Sequence, residues 1–116
     1  IAAEGYARKG HAANALAQLD KLRDMRIKGN TNLPLVDAKT ALKIVLEERR
    51  REFAFAGSTR LIDLKRLNRE ADWKKDIVHT AGTETWTLKA NDAKYILPLP
   101  PKLISVNPGI PQYNRN

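Results

Sequence analysis

The stretch AANALAQLDKLRDMRI, residues 12–27, decides how this chain folds. Within it Ala15, Leu16, Leu19, Leu22 and Met25 recur at threes and fours, which gathers apolar side chains on one stripe of an α-helix. Upstream, Ala3 and Tyr6 continue the same spacing until Gly10 and His11 interrupt it. The pattern predicts a helical hairpin, with one helix ending near Lys9 and a second running from Ala12 to Ile27. Small residues where the helices cross, with bulky ones on either side, suit a tight antiparallel pair.

That hairpin resembles the tetratricopeptide helix pair, in which an aromatic on the first helix packs over an alanine on the second. A single unit of about 34 residues cannot bury its own apolar face, so neighbouring units are expected upstream. The opening Ile1-Ala2-Ala3-Glu4 already reads as helix interior, and the true N-terminus is expected further upstream.

Downstream, residues 28–34 (KGNTNLP) form a loop by composition. A third helix is expected from the N-cap Asp37 to about Ala56, with Gly57 as its stop. Its stripe is Ala41, Leu42, Val45, Leu46, Phe53 and Ala56, and Arg49 falls on it. A buried arginine needs an acidic or carbonyl partner, for which Glu48, Glu52 and Asp63 are the candidates. A fourth helix is expected over Ser58–Asn68, capped by Ser58 or Thr59, with Leu61, Ile62, Leu64 and Leu67 inward. Thr83, Thr85, Trp86 and Thr87 favour strand, as do Tyr95, Ile96 and Leu97, and one short hairpin is expected around Asn91-Asp92. The prolines at 98, 100, 101, 108 and 111 predict an extended tail that wraps over the helices without forming one. The fold class is therefore mainly α: a tetratricopeptide-like hairpin, two further helices, and an irregular Pro-rich tail with one short β-hairpin.

Bulk properties narrow the function. The 116 residues suffice for one small domain, and 42% apolar against 29% charged residues suits a globular fold. No apolar run reaches the roughly 18 residues of a membrane-spanning helix. Without cysteine there is no disulfide or thiolate-metal site. A net charge of +8 invites a nucleic-acid partner. The excess is thin, however: +3, +1, +2 and +2 over residues 1–36, 37–57, 58–76 and 77–116. Acids are interleaved throughout, as on a solvated helical surface, and no nucleic-acid partner is expected.

Two segments carry a family resemblance. LEERRREFAFAG (46–57) followed by RLIDLKR (60–66) resembles the helices of the RagB/SusD, or SusD-like, family, which read E-R-x-x-E-L-x-F-E-G and then R-W/F-x-D-L-x-R. YILPLP (95–100) followed by NPG (107–109) is similar to that family's C-terminal P-I-P and N-P-x elements. Ala56 departs from the family's acidic residue, and Leu61-Ile62 from its aromatic pair. The resemblance covers nearly the whole chain, as the C-terminal part of such a protein. It implies a surface-exposed outer-membrane lipoprotein, its lipid anchor outside this stretch, that binds oligosaccharides or other nutrients. The implied partner is a SusC-like TonB-dependent transporter, reached by capture and hand-off without catalysis or cofactor. Were the resemblance only structural, the chain would read as a helical-repeat scaffold for another protein.

Residue by residue, no catalytic constellation emerges. Glu47 and Glu48 are helix neighbours pointing about 100° apart, so they form no acid/base pair. His11 and His79 each lack a second ligand at metal-site spacing. Arg49, Glu52, Gly57, Asp63 and Arg66 read as a structural network joining the third and fourth helices. Trp73 and Trp86, each in polar, loop-like sequence, are the candidates for ligand contact, because exposed indoles there suggest a use.

Overall fold

Helix α1 spans Ala2–Arg8 and α2 spans Ala12–Arg26 in a computed structural model that describes residues 1–113. Gly10 adopts φ +83°, a left-handed turn that a side chain would oppose. Its amide donates to the Ala7 carbonyl at 3.0 Å and that of His11 to the Tyr6 carbonyl at 2.9 Å. These two bonds satisfy the last carbonyls of α1 and reverse the chain in a Schellman motif. Tyr6 and Met25, expected inside, are exposed, Met25 to 83%; Ala7 is buried instead. The stripe narrows to Ala15, Leu16 and Leu19, so small residues set the spacing of the pair.

Helix α3 covers Ala38–Glu52 and packs on both α1 and α2. Asp37 caps it as predicted, accepting from the amides of Lys39 (2.9 Å) and Thr40 (3.0 Å) and from the Thr40 hydroxyl. Ala41, Leu42 and Val45 complete the core of the first compact unit, Ile1–Phe55. The helix stops four residues short of Ala56. Phe53 and Ala56 are exposed, so continuing the helix would bury nothing, and the ladder closes with the Phe53 amide on the Arg49 carbonyl (3.1 Å) and the Ala54 amide on the Arg51 carbonyl (3.3 Å). Gly57, although at φ +50°, is thus not the residue that ends α3.

The second unit begins at Ala56. Helix α4, Thr59–Leu67, has no side-chain cap: the Thr59 hydroxyl donates to the Ala56 carbonyl at 2.7 Å and is not an acceptor for the helix amides. Ile62, expected inward, is 58% exposed, and Asp63 is the residue that α4 buries. The hairpin is β1 (Ile77–Ala81) paired antiparallel with β2 (Glu84–Leu88), in register Ala81 with Glu84 through Ile77 with Leu88. Its turn is Gly82-Thr83 rather than Asn91-Asp92. A two-residue loop with φ +61° at its first position alone matches a type II′ turn, for which glycine is suited. Asn91 does turn left-handed (φ +63°), but Asp92 then caps a 3₁₀ turn, Ala93–Tyr95, and no strand follows among the described residues. The Pro-rich tail also departs from its expectation: Pro101–Val106 is a short helix, α5, with proline at the first position, where its missing N–H costs nothing. Among the described residues no helix is long and apolar enough to cross a membrane.

Candidate functional site

Asn68, at the end of α4, is 2% exposed and organises the segment between α4 and the 3₁₀ turn. Its Oδ1 accepts from the Lys75 amide at 3.0 Å, and its Nδ2 donates to the hydroxyl of buried Tyr95 at 3.2 Å. Its backbone carbonyl accepts from Asn91 Nδ2 at 2.9 Å. One side chain and its backbone thus hold both the entry to the hairpin and its exit. Asp76 Oδ1 accepts from the Ala90 amide at 2.7 Å and extends the pairing beyond the last strand residues. A two-stranded hairpin alone is marginal in water, so these anchors supply order that its own pairing lacks.

Strand alternation puts Ile77, His79, Ala81, Glu84, Trp86 and Leu88 on one face of the hairpin. Ile77 and Leu88 at its base are half-buried, whereas Trp86 is 51% exposed. The Trp86 indole stacks on the His79 imidazole, with ring centroids 5.7 Å apart and planes 24° from parallel. On the opposite face the Thr80 and Thr85 hydroxyls lie 3.2 Å apart. A held, half-exposed aromatic plate suits a ligand with a flat apolar side and polar edges, such as a pyranose ring.

The other nominated tryptophan, Trp73, is half-buried in the turn after α4, its amide on the Glu70 carbonyl at 3.1 Å. The Arg49 guanidinium sits 5.0 Å from the Phe53 ring centroid, a cation–π contact at the end of α3. Glu52 pairs with Arg26, and its hydrogen bond and charge push the Arg26 guanidinium further above its usual range. Glu48 takes Arg23 at 3.3 Å and Arg51 at 2.9 Å, so Arg23 and Arg26 both bridge α2 to α3. Asp63 pairs with Arg66 at 3.0 Å inside α4. Gly57 lies just ahead of α4, two residues before its first turn.

The first unit also has two concavities. One, of about 440 Å³, runs along α2 past Leu16, Asp20, Leu33 and Leu35. The other, of about 220 Å³, is lined by Leu19, Leu22, Val45, Arg49 and Phe53. Polar groups on both rims serve internal bonds: Asp20 accepts the Leu33 amide at 3.2 Å, and Glu52 holds Arg26. The aromatic ring of the second, Phe53, carries the Arg49 guanidinium over it.

The pattern of residue types does not single out His79, Asn68 or Asp20. His79 is legible in principle, because it and Trp86 lie equidistant from Gly82-Thr83, which makes them cross-strand partners once that turn is placed. Asn68 leaves no periodic signal. A family model, described as the SusD family, matches residues 1–116. No curated protein and no solved structure matches the chain.

Proposed function

The chain belongs to the SusD family, and from that premise we propose that it is part of a nutrient-binding protein that captures oligosaccharides at the surface of a bacterial outer membrane. Family membership supports nutrient or glycan binding at the outer membrane in general. The finer reading is delivery of the captured ligand to a SusC-like TonB-dependent transporter, by a protein whose lipid anchor lies outside this stretch. The transfer involves no covalent step. Arg49, Glu52, Gly57, Asp63 and Arg66 serve the architecture rather than chemistry.

The observation that carries the reading is the exposed Trp86 on a hairpin anchored at both ends by Asn68. A solvent-facing indole on a free hairpin would lose rotamer freedom on binding, whereas an anchored one has already lost much of it. In the proposed complex a sugar ring lies on the indole with its C–H face, and its hydroxyls remain at the edge for hydrogen bonds. Trp73, half-buried, is a secondary contact.

The test is a glycan array probed with the full-length protein and its Trp86→Ala variant. Loss of the stacking platform should weaken the retained glycan by about tenfold or more. Binding unchanged to within about twofold would remove Trp86 from the site.

A further inference from the structure

We propose that His79 is the positioning residue of the ligand platform: its ring lies offset against one face of the Trp86 indole and thereby favours which face, and which orientation, receives the sugar. This rests on the reading of Trp86 as that platform. His79 and Trp86 are direct partners across the hairpin. Counting from the closing pair Ala81 with Glu84, they occupy a hydrogen-bonded position, where the backbones exchange two bonds and hold the side chains side by side. The rings meet nearly parallel, 24° apart at 5.7 Å. An indole has two faces, and the offset imidazole lies against part of one of them.

The surroundings leave that duty to His79. The base of the same face is occupied by the half-buried Ile77 and Leu88. Towards the tip the β1 residue is Ala81, whose methyl group is too small to back an indole. His79 is itself exposed, so its ring adds little to a core. Without it the indole would sample several rotamers, and ordering one of them on binding would lower affinity by about three- to tenfold.

The experiment compares the full-length wild type with His79→Ala, His79→Phe and Trp86→Ala, on an array of neutral and uronic-acid-containing oligosaccharides. The glycan retained best by the wild type is then titrated against each variant, with thermal midpoints recorded alongside. Expected are a loss of about tenfold or more in Trp86→Ala, a loss of about three- to tenfold in His79→Ala, and recovery to within about twofold in His79→Phe. Because His79 is exposed, the midpoints should stay together. A His79→Ala affinity within about twofold of wild type, while Trp86→Ala loses binding, overturns the positioning role and leaves the platform standing. A loss that phenylalanine does not restore overturns it differently, since His79 would then contact the sugar through its nitrogens. If no glycan is retained, or Trp86→Ala binds like wild type, the platform fails and the role of His79 with it.

Discussion

Residues 1–55 and the residues from Ala56 onward bury apolar and polar side chains in different proportions. In the first unit the interior is Ala7, Ala15, Leu16, Leu19, Ala41, Leu42 and Val45, supplied by three helices, with Asp20 as its buried polar residue. In the second, Tyr95 is the buried apolar residue among those described, and Asp63 and Asn68 are buried there as well. Apolar burial is non-directional and tolerates small shifts of a helix. Buried hydrogen bonds do not, because each donor must meet its acceptor or be left unsatisfied. The first arrangement packs helices; the second fixes a hairpin in one orientation, as the proposed ligand plate requires.

If that contrast is right, the largest effect should come from a hole in the helical core. Leu19→Ala should lower unfolding free energy by about 2–4 kcal/mol, measured by urea denaturation followed in the far-ultraviolet. A cost below about 1 kcal/mol would mean that the helices collapse around the gap, and the first unit would not be the tightly packed one.

The second unit should give way through one polar residue. Asn68→Ala removes the acceptor of the Lys75 amide and the donor to the Tyr95 hydroxyl in a single step. Its expected cost is about 1–3 kcal/mol, with faster amide exchange across Ile77–Leu88. Replacing a surface asparagine would cost within about 0.5 kcal/mol, and that result would erase the distinction between the units.

The same contrast explains how much of the molecule is legible in the sequence. The hairpin of α1 and α2, the cap Asp37 and most of α3 follow from apolar periodicity and capping chemistry, which act over a few neighbouring residues. Even there the stripe overshoots: Tyr6, Met25 and Phe53 keep the right spacing yet stay exposed. In the second unit the deciding contacts join residue 68 to 75, 91 and 95, and polar pairs at such separations leave no period to read. Asn91-Asp92 has the composition of a hairpin turn, but the turn falls at Gly82-Thr83, where five residues on each side pair. Pro101 suggests a helix breaker, although proline at the first helical position is compatible with α5. For the candidate site, Trp86 is visible as an indole in polar sequence, whereas its partner His79 becomes visible only with the register.

The smallest effect approaches the difference between the units from the other side, because Asp37 is a polar contact of the first unit that sits on its surface. The Thr40 hydroxyl, then the Thr40 amide, hold its carboxylate below the usual range by hydrogen bonding to the charged form. A group with a depressed folded-state pKa contributes stability above its unfolded pKa and loses it as pH falls through the folded value. Asp37→Asn keeps a side-chain acceptor at the cap but cannot titrate. The thermal midpoint of wild type minus that of Asp37→Asn should therefore be constant near neutral pH and shrink in acid, below the ordinary aspartate range. Parallel midpoint curves down to strong acid would show that the carboxylate's charge adds nothing to the cap. In either case the shift should be smaller than that of Asn68→Ala, since water can replace a partner lost at an exposed cap but has little access to the bonds around Asn68.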